Sequence, residues 1–209
     1  MKLSIVIPSF NEEDNIPLLF NQILEAVGEI DFECIFVDDG SKDSTFDKIK
    51  KLSLKHNQVK GISFSRNFGH QIALTAGLNE SKGDLVVMMD ADGQHPPKVI
   101  TDLLEEQKKG FDIVNTRRLS TADATASKKI TSKLYYKLLN NLTDVKIEPA
   151  SSDFRLMTRK AVDAFLQFDE KERFTRGLVS WMGFNQSIIE YNAPERMTGE
   201  SKYTLKKMI

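Results

Sequence analysis

The chain is poor in several things at once. Its 209 residues include one cysteine, Cys34. That excludes an internal disulfide and every CxxC zinc site. Cys34 sits in the apolar run 32–37 and reads as a small core residue rather than a nucleophile. The three histidines, His56, His70 and His95, are scattered, which argues against a zinc centre. No stretch approaches the roughly 20 apolar residues of a membrane span. No two of the 11 glycines stand two apart, so there is no GxGxxG fingerprint. A P-loop, a GxSxG elbow and an HExxH helix are missing as well, and the dinucleotide, P-loop, hydrolase and zincin readings fall with them. A net charge of −1 leaves no surplus of positive charge for general nucleic-acid binding.

What is present is ordinary globular composition, with 28 % charged and 40 % hydrophobic residues. The length suits one domain over residues 1–209. Met1-Lys2 leads straight into a short apolar run, so no secretory leader is expected. The last residues, Tyr203 to Ile209, look like an element cut short before something hydrophobic. Charge is uneven along the chain. Residues 117–147 carry seven Lys or Arg against two Asp, and residues 196–209 carry four against one Glu. Two basic segments in the second half point to an anionic partner there.

Apolar runs alternate with helical periodicity through the first half. Strands are expected over 3–7, 32–37, 59–64, 85–89 and 113–115. Helices are expected over 12–27, 43–55, 68–80 and after Pro96-Pro97. Residues 118–127 read as a loop, and 128–142 as a basic helix with Ile130, Leu134, Tyr135 and Leu138 on one stripe. A short strand or turn follows over 154–158, then helices near 159–167 and 172–182, and a strand over 184–191. Repeated strand–helix units give an α/β fold, a mostly parallel sheet with helices on both faces. Ligands bind such sheets at the carboxyl ends of the strands. Four polar clusters lie there: 8–12, 38–43, 66–70 and 90–95.

Two clusters carry the chemistry. Asp90-Ala91-Asp92 follows the run Leu85-Val86-Val87-Met88-Met89 and puts two carboxylates one residue apart at a strand end. Such a pair suits a hard cation shared with a diphosphate, and Gln94 offers a further oxygen. The competing reading is a capped turn before a Pro-Pro helix. Asp38-Asp39-Gly40-Ser41 ends another strand. There Asp38 and Asp39 are candidates to accept hydrogen bonds from a nucleobase or a ribose, while Asp43 and Ser44 are equally capping residues for the next helix.

The runs Val6-Ile7-Pro8-Ser9-Phe10-Asn11-Glu12, Val37-Asp38-Asp39-Gly40-Ser41 and Asp90-Ala91-Asp92 resemble the inverting family 2 glycosyltransferases of GT-A fold. Ser65-Arg66-Asn67-Phe68-Gly69-His70, Asp90 to Pro97, Ser152-Asp153-Phe154-Arg155-Leu156-Met157 and Arg196-Met197-Thr198-Gly199-Glu200-Ser201-Lys202-Tyr203 resemble its polyprenyl-phosphate branch. The resemblance runs from about residue 3 to the end. It implies a nucleotide-sugar half over 1–117 and an acceptor half over 118–209. Pro8, Ser9, Glu12 and Asp39 would line the nucleoside pocket, and Asp90 would contact the nucleotide. Asp92 and Gln94, with Asp90, would hold Mg²⁺ or Mn²⁺. Arg117, Lys128 and Ser132 would grip the acceptor phosphate. Lys128 stands where some relatives have Arg. Asp153 matches the catalytic acidic residue, as a base or as an orienting group. Arg196 and Lys202 would close over the diphosphate.

The donor implied is a nucleotide sugar, UDP-linked by preference over GDP-linked. The acceptor is a lipid phosphate at the cytoplasmic face of a membrane, toward which a basic surface is attracted. Relatives often continue into membrane helices past the point where this chain stops. Three other readings compete: a saccharide hydroxyl as acceptor, a non-catalytic module that kept the fold, and a nucleotidyltransferase.

Overall fold

The computed structural model describes residues 1–119, 151–170 and 175–194. The expected loop beyond residue 119 and the helix 128–142 lie outside these, as do Lys128, Ser132, Arg196 and Lys202. In chain order the elements are β1 (Leu3–Ser9), α1 (Asn15–Val27), β2 (Phe32–Asp38), α2 (Thr45–Lys55), β3 (Val59–Ser63), α3 (His70–Glu80), β4 (Leu85–Met88) and α4 (Val99–Gln107). They continue as β5 (Ile113–Arg118), β6 (Ser151–Thr158), α5 (Arg159–Leu166), α6 (Thr175–Trp181) and β7 (Gln186–Tyr191).

The seven strands form one sheet in the order β3-β2-β1-β4-β6-β5-β7. Strands β1 and β2 are buried along their whole length, as expected of parallel strands covered on both faces. Their side chains alternate between two cores. Leu3, Ile5 and Ile7 of β1 meet Ile16, Leu19, Phe20 and Ile23 of α1 and Val99, Ile100 and Leu103 of α4. Val6 of β1 points the other way, to Ala73, Leu74 and Leu78 of α3, Val162 and Phe165 of α5 and Val179 of α6.

One strand departs from the parallel pattern. The short strand or turn expected near 154–158 is the eight-residue β6, wedged between β4 and β5 and antiparallel to both. The reversal matters for the site. The carboxyl ends of β1, β2 and β4 share one sheet edge, and β6 delivers its first residues, Ser152 and Asp153, to that edge. Its period of two then sends Asp153 and Arg155 toward the α3/α5/α6 face and Ser152 and Phe154 toward the α4 face.

Gly40 closes the turn after β2 at φ 68°, and a Cβ there would come within 2.3 Å of the Arg66 backbone. That close approach lets the loops after β2 and β3 lie against each other.

The opposite sheet edge is tied by Glu33, which is 2 % exposed. Its carboxylate accepts hydrogen bonds from Ser4 Oγ (2.7 Å), Lys82 N–H (2.7 Å) and Lys60 Nζ (2.6 Å). Burial pushes the Glu33 carboxyl up, but the Lys60 and Ser4 hydrogen bonds and the Lys82 amide outweigh it and hold it below its ordinary 4.5. The stabilisation is therefore whole above about pH 4.5 and is lost as pH falls through the lower folded value. Glu33→Gln is expected to cost about 2 kcal/mol at pH 7. It should also flatten the fall in stability below pH 4.5, as read from urea unfolding across a pH series.

Candidate active site

A cavity of about 580 Å³ opens at the carboxyl edge of the sheet. Its walls come from strand ends, the loops that follow them and two helices. Pro8 and Ser9 end β1, Phe10 and Glu12 follow it, Asp39 follows β2, Asn67 and Gly69 lead into α3, His70 opens α3, and Asp90 to Asp92 follow β4. Asp153 of β6 and Arg176 of α6 complete the lining.

The sequence expectations divide on this geometry. The structure brings together Pro8, Ser9, Glu12, Asp39, Asp90, Asp92 and Asp153. Asp38 is buried beneath the turn and is not among the residues lining the cavity. Its Oδ1 accepts the Ser41 N–H (3.1 Å) and its Oδ2 the Ser63 hydroxyl (3.1 Å). Those bonds hold the turn to β3 and leave it outside the cavity. Gln94 also stands outside the lining. Its N–H donates to Asp92 Oδ1 (3.0 Å), which closes the Asp90–Asp92 turn, and its side-chain oxygen faces Arg118 at 3.5 Å. Arg117 lies off the cavity on β5, paired with Glu190 of β7 at 2.6 Å.

Asp39 lines the cavity while also organising it. Its carboxylate accepts the N–H groups of Phe68 (2.7 Å) and Gly69 (3.0 Å). This ties the end of β2 to the start of α3, where His70 sits. A carboxylate has about four acceptor sites, so a ribose or base donor can still be received.

The residues that sequence reasoning missed are the cationic ones. Arg176 embraces Asp153 with two hydrogen bonds, Nε to Oδ1 and Nη2 to Oδ2, both 3.1 Å. Arg155, 1 % exposed, stands 3.6 Å behind Asp153. His70 Nε2 lies 3.8 Å from Asp153 Oδ2 and 3.6 Å from Asp90 Oδ1. Burial raises the Asp153 carboxyl, but the charges of Arg176 and Arg155, the Arg176 hydrogen bonds and His70 hold it below its ordinary range. Arg155 is pushed down to about 10, chiefly by burial, with Asp153 opposing and Arg176 adding to the fall; it stays charged at neutral pH. His70 and Asn67 lie in the segment Arg66 to His70, which flagged the loop without assigning them a task. For Arg176 the sequence carried no signal beyond an arginine at the start of a helix.

Among the described residues the lining holds five carboxylates, those of Glu12, Asp39, Asp90, Asp92 and Asp153, beside the guanidinium of Arg176 and the ring of His70. Beside so many carboxylates, added positive charge would favour an anionic ligand. Among the described residues no three His, Cys, Asp or Glu side chains gather as a closed metal site. Asp90 and Asp92 nonetheless offer hard oxygen donors on an open wall, and this donor set fits an ion that completes its shell with phosphate oxygens and water.

Arg176→Gln is expected to raise the Asp153 carboxyl pKa, because the largest opposing charge is gone while burial remains. Carbon-detected NMR titration of the aspartate carboxyls checks this.

The glycosyl transferase family 2 profile matches residues 4–166. The glycosyltransferase YkcC of Bacillus subtilis is 43 % identical over 211 residues, covering 100 % of this chain and 65 % of its own length. A prophage bactoprenol glucosyl transferase homologue of Escherichia coli is 38 % identical over 205 residues, covering 97 % of this chain and 67 % of its own. The chain thus spans about two thirds of the length of these curated relatives. Among solved structures, glucosyl-3-phosphoglycerate synthase of Mycobacterium tuberculosis, crystallised with Mn²⁺, UDP and phosphoglyceric acid, superposes with a TM-score of 0.64 at 19 % identity. That match covers 99 % of this chain and 73 % of the other. A strand-edge cavity of this composition, on a sheet of this topology, and a family match over most of the chain lead to one conclusion: the chain belongs to glycosyl transferase family 2 and has its GT-A fold.

Proposed function

We propose that this chain transfers a glycosyl group from a nucleoside diphosphate sugar to a polyprenyl phosphate, with inversion and with the help of Mg²⁺ or Mn²⁺. The observation that carries the proposal is the convergence of Asp90 and Asp92 with the Arg176-clamped Asp153 on one cavity. The naming of relatives at 38 % identity as bactoprenol glucosyl transferases supports the lipid acceptor.

The nucleoside is received by Pro8, Ser9, Glu12 and Asp39, beneath the loop that Asp39 ties to α3. Asp90 and Asp92, with Gln94 closing their turn, are the residues that would hold the ion. Bound there, the ion supplies positive charge where the departing diphosphate gathers negative charge. Arg196 and Lys202 would add to that charge from the basic end of the chain. The acceptor phosphate oxygen attacks the anomeric carbon from the face opposite the diphosphate. One C–O bond forms, the other breaks, and the nucleoside diphosphate leaves with the bonding pair.

A phosphate monoester is largely ionised near neutrality, so the attacking oxygen needs no strong base. This agrees with the state of Asp153, whose carboxyl is held low by Arg176 and Arg155 and is a poor proton acceptor. Asp153 acts as an orienting group: it holds Arg176 and faces His70 at the mouth where the acceptor arrives. Arg117, Lys128 and Ser132 are the proposed grip on the acceptor phosphate, and for Arg117 this requires exchanging Glu190 for the phosphate. A saccharide hydroxyl would instead need its proton removed, which a carboxylate so clamped serves badly.

No helix among the described residues is long and apolar enough to cross a membrane. The acceptor, however, lies in a bilayer, and the basic segments 117–147 and 196–209 suit its anionic cytoplasmic face.

Calorimetry with UDP and with GDP, each with and without Mn²⁺, tests the donor half. The expected result is binding of one nucleotide, UDP by preference, strengthened at least tenfold by Mn²⁺. Asp92→Ala should abolish that strengthening and lower turnover by about 100-fold or more. Absence of nucleotide binding under all four conditions would refute the donor site.

A further inference from the structure

The ladder between β4 and β6 ends at the pair Met88–Arg155. Past that pair the strands separate. β4 turns into the segment carrying Asp90 and Asp92, while β6 carries Asp153 and Ser152 on the other side of the fork. The imidazole of His95 stands in the fork. The Asp90 N–H donates to its Nδ1 at 2.8 Å, and its Nε2 lies 2.8 Å from Ser152 Oγ. A nitrogen that accepts an amide proton carries none itself, so the ring proton is on Nε2 and goes to Ser152. The ring is 5 % exposed. It stacks on Phe154 at 4.9 Å and 19° and meets the edge of Tyr191 at 6.3 Å. Ser152 Oγ also accepts the Phe154 N–H at 3.2 Å.

The imidazole thus spans the gap where a further rung of the ladder would lie. One of its nitrogens sets the main chain of the Asp90–Asp92 turn, and the other sets Ser152. Because side chains alternate along β6, fixing Ser152 on one face fixes Asp153 on the other. We propose that His95 is a positioning residue. It sets the separation between the carboxylates of the Asp90–Asp92 turn and Asp153, and so holds the diphosphate end and the acceptor end of the cavity in register. The inference rests on the reading of those two ends given under Proposed function. It assigns His95 no contact with substrate. A buried histidine that serves packing alone would need the stacked ring but not its two nitrogens, and this difference makes the inference testable.

His95→Phe keeps a stacked ring and removes both nitrogens. Ser152→Ala removes one link and leaves the core intact. Two readouts are taken on the full chain. Amide hydrogen exchange by NMR follows the Asp90 N–H. Calorimetry follows UDP or GDP, whichever the wild type binds, with and without Mn²⁺. For His95→Phe the Asp90 amide is expected to exchange at least tenfold faster, with the amides of β1 unchanged. The Mn²⁺-dependent gain in nucleotide affinity is expected to fall about tenfold while the Mn²⁺-free affinity holds. Ser152→Ala is expected to show a smaller loss of the same kind. A lowered thermal midpoint with the Mn²⁺-dependent gain unchanged in both variants overturns the proposal and leaves His95 a packing residue. Unchanged Asp90 protection in His95→Phe overturns it too. If the wild type binds neither nucleotide with Mn²⁺, the functional reading fails instead, and the exchange of the Asp90 amide alone decides whether His95 holds the turn.

Discussion

The structure depends on a charged strand placed in the middle of an apolar sheet. β6 carries Asp153 and Arg155 between β4 and β5, where Arg155 stands between Met88 and Asn115 and the next residues along the ladders are the apolar Val87, Leu156 and Val114. An isolated buried arginine or aspartate would be driven toward its neutral form. Here each compensates the other, and Arg176 from α6 closes the pair from the cavity side with two hydrogen bonds. The same arrangement fixes direction. Only an antiparallel β6 brings its first residues to the carboxyl edge of β1, β2 and β4, where the cavity lies. Parallel insertion would carry Asp153 to the opposite edge, away from the cavity.

Much of this was legible in the sequence, for physical reasons that can be named. β1, β2 and β4 are continuous apolar runs because parallel strands covered on both faces have no polar side. Helices α1 and α4 show one apolar stripe because each covers a single face. β6 was read as a short strand or turn because its charges interrupt any strand pattern, and their compensation comes from Arg176, 23 residues away along the chain. Asp38 is ambiguous in the sequence because a carboxylate at a strand end serves a ligand or a turn equally well. Its partner in the turn, Ser63, lies 25 residues on. Asp90 and Asp92 stand out as candidates through local spacing. His70, His95 and Arg176 do not, since each acts through partners that only the folded sheet brings near.

The cavity is built so that its charges are held before any ligand arrives. Asp39 spends its oxygens on two backbone amides, Asp153 on a guanidinium, and Asp90 is flanked by two imidazoles. Such preorganisation is what electrostatic catalysis requires, because groups already oriented need no reorganisation when charge moves. It also explains the contrast between the two sheet edges. The Glu33 edge gathers lysines and a serine around one carboxylate and serves stability. The opposite edge gathers five carboxylates around the cavity among the described residues.

The account stands or falls on the acceptor. The direct measurement is transfer of radiolabelled sugar from the nucleotide donor that the protein binds, offered in parallel to a polyprenyl phosphate in detergent and to a panel of free saccharides. The account predicts label in the lipid phosphate alone, with inverted anomeric configuration in the product. Label in a saccharide hydroxyl product, with none in the lipid phosphate, would contradict it and would return Asp153 to the role of a general base.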